Sequence, residues 1–251
     1  MADITSQKKC SNKRCAIRKS ESGNVLFLIL IAVALFAALS YAVTSSTRSG
    51  GGDAASETNL VNSSAITQYP ASVRTAIIRM IVSNGISDID LWFDRPPYTN
   101  ITAGEEFQVV FHPSGGGATY AEAPPDVMDP AGTNPDGEWF FNMDFEVENI
   151  ATSENNTAGN EIIAFLPDIR RAICERINSE LGITGIPDIT PTLALNVNKN
   201  DGEPISTVNP AANMIGSSNM GAGAAELDGQ AFGCFENGNG EYVYYHVLVE
   251  R

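Results

Sequence analysis

Fifteen consecutive apolar residues, Val25 to Leu39 (VLFLILIAVALFAAL), constrain this chain more than any other feature. No charge interrupts the stretch from Asn24 to Thr47. As an α-helix, Val25 to Val43 would measure about 28 Å, close to a bilayer hydrocarbon core of about 30 Å. A helix that lies on a soluble core keeps a polar face. This segment has none, so its expected solvent is lipid.

Charge on either side sets the expected orientation. Residues 1–23 carry Lys8, Lys9, Lys13, Arg14, Arg18 and Lys19 against Asp3 and Glu21, a net +4, whereas the remainder nets −19. Basic residues beside a span stay on the cytoplasmic side. The expectation is a single pass through the inner membrane, with the N-terminus cytoplasmic and the C-terminal domain periplasmic or extracellular. A cleaved secretory signal is the alternative, because Ser40-Tyr41-Ala42 is a small-residue cleavage site behind a basic and then apolar stretch. Both readings export the bulk of the chain. The expected divisions are a basic leader (1–23), a transmembrane helix (24–47), a linker and helical stalk (48–85) and an exported α+β head (86–251).

An exported segment of this size can bury a real core. The overall charge of −15 speaks against a nucleic-acid partner, which demands basic surface, and against lying flat on anionic lipid. The expected contact with the bilayer is the helix alone. Cys10 and Cys15 lie in the leader, where the cytosol keeps thiols reduced, and two thiols do not complete a four-ligand zinc site. Cys174 and Cys234 form an even pair in the exported part, which suggests a disulfide; two separate buried thiols are the other reading. Closing that loop would add ~4 kcal/mol in the chain-entropy model.

Beyond the apolar run, Gly50, Gly51 and Gly52 are expected to interrupt or soften the helix. Helical character resumes over Ala54–Ile66. Pro70 fits the first turn of a further helix, in which Val73, Ile77, Met80 and Ile81 share one face. Asn84-Gly85 is a natural C-cap. Phe107–His112 reads as a strand ended by Pro113–Gly117, and Tyr120–Gly137 as a long surface loop. From Trp139 to Glu148 apolar and mostly acidic residues alternate, which predicts a strand with one buried face in an antiparallel sheet. Asp168–Leu181 predicts an amphipathic helix through Ile169, Ile173, Ile177 and Leu181. Pro187–Met220 is irregular apart from a short strand near Leu193–Val197. The chain closes with a hairpin, Gln230–Phe235 and Glu241–Glu250 around Asn237-Gly238-Asn239-Gly240. The expected fold class is α+β: a long N-terminal hydrophobic helix, then an antiparallel-sheet head with a packed amphipathic helix.

A basic leader ending in Gly23, an apolar helix and an exported head together resemble the type IV pilins and the pseudopilins of type II secretion. The residues carrying the resemblance are the Gly23-Asn24 junction and Val25–Val43. A paired-cysteine head with C-terminal strands also resembles that family. The resemblance implies a structural subunit of a cell-surface filament or secretion pseudopilus. It implies cleavage after Gly23 by a prepilin peptidase, and packing of the helix against other pilin-like subunits. Two positions depart from the pattern. The mature chain would begin with Asn24 rather than Phe or Met, and Leu28 stands where the fifth mature residue is usually Glu. That carboxylate is thought to neutralise a neighbour's amino terminus, and an unpaired buried ammonium is costly. Its absence points to a minor subunit. A single-pass anchored or secreted binding protein, recognising a ligand through loops between Pro113 and Gly137, is the reading from another class. Cleavage after Gly23, cleavage after Ala42 and an uncut anchor all remain open at this point.

No enzyme is expected. His112 with Ser114, and His246 inside the last strand, are read as structural, and no nucleophile elbow, zinc-binding helix or phosphate loop is present. Gly115, Gly116 and Gly117 read as a plain turn rather than an anion cradle. Calcium is the better candidate ligand. Asn196, Asn198, Asn200, Asp201 and Glu203 crowd oxygens around Gly202, although the glycine is one position out of an EF-hand register and the first position is not acidic. Solvated acidic loops are the alternative there and at Asp88, Asp90 and Asp94. Tyr242, Tyr244 and Tyr245, with Trp92 and Phe93, are read as sheet core or cross-strand pairs rather than an interface.

Overall fold

The computed structural model describes residues 24–150, 160–188, 197, 214–217, 222–238 and 240–251. The elements run α1 (Asn24–Asn84), β1 (Phe140–Val147), β2 (Glu161–Leu166), α2 (Arg171–Glu180), β3 (Met214–Ile215), β4 (Phe232–Glu236) and β5 (Tyr242–Val249). The chain divides into two compact units, residues 1–53 and 54–251, each taken by itself below.

In the first unit, α1 carries the apolar run. Every large side chain from Val25 to Leu30 is more than half exposed. The sequence predicts a helix broken at Gly50–Gly52 and again at Pro70, but α1 is helical throughout, with Pro70 inside it.

In the second unit, α1 shows why a proline is tolerated. Ser63, Ile66, Pro70, Val73, Ile77 and Met80 are all buried, at helical spacing along one stripe. An interior proline costs about 3 kcal/mol, whereas burying each large apolar side chain gains about 1.5–3 kcal/mol. The stripe outweighs the proline. The helix ends at Asn84, and Gly85 follows with φ 67°, a left-handed conformation that suits glycine.

The sheet has five strands in the order β3-β1-β2-β5-β4. β1–β2, β2–β5 and β5–β4 are antiparallel, as the sequence predicts, but β3 runs parallel to β1 through Glu146↔Met214 and Val147↔Ile215. The sheet is therefore mixed, not purely antiparallel. Two residues of β3 carry no periodicity, so its pairing was invisible beforehand.

The one-sided strand expected over Trp139–Val147 is also corrected. Register along β1–β2 passes from Asn142↔Ile163 to Phe145↔Glu161, so β1 spends one residue more than β2. Such a bulge reverses which face later residues occupy. Trp139, Phe141 and Met143 join one hydrophobic core with α1 and α2, and Phe145 and Val147 join a second core on the other face. β2 has all six residues buried, alternating between the two cores: Ile162, Ala164 and Leu166 in the first, Ile163 and Phe165 in the second.

Phe107–His112 is not a strand. Residues Glu106–Gln108 form a 3-10 turn, and beyond it the chain turns again after Val109, whose bridge partner is Trp92. One bridge remains: Trp92 N–H donates to Gln108 O (3.0 Å) and Val110 N–H to Trp92 O (2.8 Å). The predicted strand near Leu193–Val197 lies outside the described residues except for Val197, which is buried in the second core. The terminal hairpin falls where the sequence puts it.

Candidate functional site

Asn24 is the first residue of α1; its partner in the predicted cleavage junction, Gly23, lies outside the described residues. From Val25 to Thr44 the helix has mean hydropathy 2.7 and none of that segment is buried. It is long and apolar enough to cross a membrane, and a signal sequence has the same character. Leu28 is 58 % exposed and supplies no carboxylate to that surface.

Cys174 on α2 and Cys234 on β4 form a disulfide, with Cα atoms 5.4 Å apart. Both are fully buried. The bond ties helix to sheet in the first core.

The predicted calcium residues Asn196, Asn198, Asn200, Asp201 and Glu203 lie outside the described residues. The second acidic patch is built into turns. Asp88 Oδ1 accepts Ile89 N–H at 3.1 Å, and its Oδ2 pairs with Arg251 Nε at 2.6 Å. Asp94 accepts from Arg95 N–H at 3.0 Å and Asn100 N–H at 3.1 Å.

The histidines sit in packing roles. His112 Nδ1 accepts Ser114 N–H at 3.1 Å, and its ring meets Tyr98 edge-on with centroids 4.8 Å apart. His246 bonds Tyr244 Oη through Nδ1 at 2.8 Å and stacks on Phe232 with ring centroids 5.6 Å apart. Burial, with the Arg74 cation adding to it, pushes its pKa down to about 4. In the glycine turn the amides are spent: Gly115 and Gly117 N–H donate to His112 O, and Gly116 N–H to Val109 O. A Cβ at Gly115 or Gly116 would lie 2.2 or 2.3 Å from the carbonyl oxygen of Val109 or Val110. Close approach explains these glycines, and no anion is needed.

Tyr244 and Tyr245 are fully buried, and Phe93 stacks on Phe141 with centroids 5.2 Å apart. In the loop between Pro113 and Gly137, Ala123, Val127 and Met128 enter the first core. Asp168, with φ 60°, anchors this loop: its Oδ2 accepts Thr133 N–H (2.6 Å), Thr133 Oγ1–H (2.7 Å) and Asn134 N–H (2.9 Å).

Sequence reasoning missed one polar group. Glu146 and Glu161 are both completely buried. Glu146 alternates with apolar residues and reads as surface; only the bulge and the two-sided core reveal otherwise. Burial drives the Glu161 carboxyl up to about 8, partly offset by the N–H bonds it accepts, with the Glu146 and Glu250 charges adding to the rise. Burial, then the Glu148 charge, raises Glu146 as well. Among the described residues no three His, Cys, Asp or Glu side chains gather as a metal site.

Together these elements define an α+β protein with an apolar N-terminal helix. Compared with protein families, curated proteins and solved structures, the chain matches none.

Proposed function

We propose that this chain is a pilin-like or pseudopilin-like structural subunit, a minor one, of a cell-surface filament or secretion pseudopilus. The observation that carries the reading is the apolar surface of Val25–Thr44, no part of which is covered by the chain itself. Apolar surface on that scale demands an apolar partner. Lipid serves before assembly and the helices of other pilin-like subunits serve afterwards. The leader is cytoplasmic, the head is periplasmic or extracellular, and a prepilin peptidase cuts between Gly23 and Asn24. The disulfide in the head suits an oxidising compartment. Leu28 in place of a carboxylate favours a minor position over the repeating one. Nothing in this role calls for catalysis.

Mass spectrometry of the mature N-terminus tests it. A chain starting at Asn24 is expected; a start at Val43, or an intact leader, overturns the reading. Gly23→Ala is expected to block maturation, and unchanged processing of that variant counts equally against it.

A further inference from the structure

The tripeptide Asn-X-Ser/Thr, with X other than proline, occurs at three places: Asn62-Ser63-Ser64, Asn100-Ile101-Thr102 and Asn155-Asn156-Thr157. In an exported chain that pattern is the acceptor for N-linked sugar, provided that it lies on a surface loop. The pattern recurs by chance, so its surroundings decide. The tertiary structure treats the first two occurrences differently, and the third lies outside the described residues.

Asn62 belongs to α1 and is half-buried, with Ser63 fully buried beside it. The Ser64 hydroxyl donates back along the helix to Leu60 O at 2.8 Å. Residues two apart on a helix point to different sides, so the Asn62 amide and the Ser64 hydroxyl cannot meet one enzyme together. Asn100 sits instead in the turn at residues 99–100, and both Asn100 and Thr102 are exposed. Backbone groups hold this turn: Asn100 N–H donates to Asp94 Oδ2 at 3.1 Å, and Glu105 N–H donates to Thr102 O at 3.0 Å. The Tyr98 hydroxyl fastens it to the body, donating to Phe111 O at 2.8 Å. None of these bonds uses the Asn100 amide side chain or the Thr102 hydroxyl. The loop is shaped without them, and both face solvent.

We propose that Asn100 is a site of N-linked glycosylation, with a polyprenyl-diphosphate-linked oligosaccharide as the donor. The Asn100 amide nitrogen attacks the anomeric carbon of the first sugar. The bond from that carbon to the diphosphate oxygen breaks, the lipid diphosphate leaves with the electron pair, and the amide gives up one proton. The step is a transfer, with nothing oxidised or reduced. Thr102 is the residue by which a transferase tells this asparagine from others. A bulky hydrophilic group at an exposed turn displaces no packed side chain and adds to the solubility of the head. The assignment rests on export of the head, which the Cys174–Cys234 disulfide favours.

The test is mass spectrometry of the full chain, extracted in detergent from the cells that make it, with its cysteines labelled before digestion. The peptide holding Asn100 is expected to be heavier by a whole number of sugar residues, and the peptide holding Asn62 to be unmodified. Asn100→Gln and Thr102→Val should each abolish the addition, and Thr102→Ser should keep it. These side chains are exposed, so the variants should fold, and formation of the Cys174–Cys234 bond verifies that they do. An unmodified Asn100 in a chain whose disulfide has formed overturns the proposal alone. An unmodified Asn100 in a chain with both thiols free overturns it together with the export reading. Sugar that survives Asn100→Gln, or that is lost instead in Asn155→Gln, also overturns it.

Discussion

Asn178 on α2 bonds both backbone groups of Cys234 on β4: its Nδ2 donates to Cys234 O at 2.9 Å and its Oδ1 accepts Cys234 N–H at 3.0 Å. β4 is an edge strand, and a strand edge leaves backbone groups in need of partners. The amide of one side chain imitates a neighbouring strand here, four residues after the cysteine bonded to Cys234.

Asn178→Ala should therefore cost about 2–4 kcal/mol, because a buried N–H and C=O lose their partners together. Asn178→Asp keeps the acceptor but sets a carboxylate against the carbonyls of Cys234 and Gly185, to which Nδ2 also donates. It should be at least as damaging. Urea midpoints followed by circular dichroism decide this; a loss below half a kcal/mol for the alanine variant would mean that water replaces the amide.

The disulfide closes a sequence separation of 60 residues, for which loop-closure entropy gives ~4 kcal/mol. Replacing both cysteines with Ser should lower stability by about that much. Because both cysteines are fully buried, a reductant should act slowly on the native protein and quickly once denaturant opens it. Thiol labelling with and without urea is the measurement.

Glycine positions separate two kinds of cost. At Gly116 a Cβ would meet Val110 O at 2.3 Å and Met80 Sδ at 2.8 Å, and the Arg79 guanidinium donates to Gly116 O. Gly116→Ala should cost about 1–3 kcal/mol or more through overpacking. At Gly238 no atom lies within 4 Å, but φ is 76°. Gly238→Ala should cost about 1–2 kcal/mol, from the strained backbone alone, and less than Gly116→Ala. Equal losses in parallel denaturation curves would refute the distinction.

Two buried groups give opposing pH dependences. Glu161 has its folded pKa raised to about 8, so between the unfolded value of about 4.3 and that point the folded state binds more protons, and its contribution falls as pH rises. His246 has its folded pKa lowered to about 4. Between there and about 6.5 the unfolded state binds more protons, and its contribution rises with pH. The two oppose one another below about pH 6.5, and the loss from Glu161 stands exposed from there to about 8. Glu161→Gln should remove the alkaline decline and raise stability at pH 8. His246→Gln should steepen the fall with rising pH on the acid side. A Glu161→Gln curve parallel to wild type from pH 6 to 8 would remove that carboxyl from the account.

Much of the secondary structure was legible from local signals. β5 follows from Tyr242–Val249, rich in β-branched and aromatic residues and preceded by an Asn-Gly turn. α2 follows from Ile173 and Ile177, although Asp168 belongs to the turn before it and takes up the Thr133–Asn134 loop. Pro70 was misleading because the proline penalty is local, whereas the stripe from Ser63 to Met80 offsets it by packing in the first core against loops, α2 and the sheet. The burial of Glu146 was illegible, since it alternates with apolar residues as a surface residue would.

The chain alone determined the uncharged apolar helix and the terminal hairpin, because each rests on composition or spacing that any environment preserves; it suggested the Cys174–Cys234 bond, which the tertiary structure made by bringing α2 to β4. The tertiary structure decided the parallel seat of β3, the burial of both sheet faces and the isolation of Glu146 and Glu161 from water. The change of face along β1, which carries Phe145 and Val147 into the second core, turns on one extra residue between Asn142 and Phe145. A single-residue shift inverts every later side chain, and only a partner strand registers it.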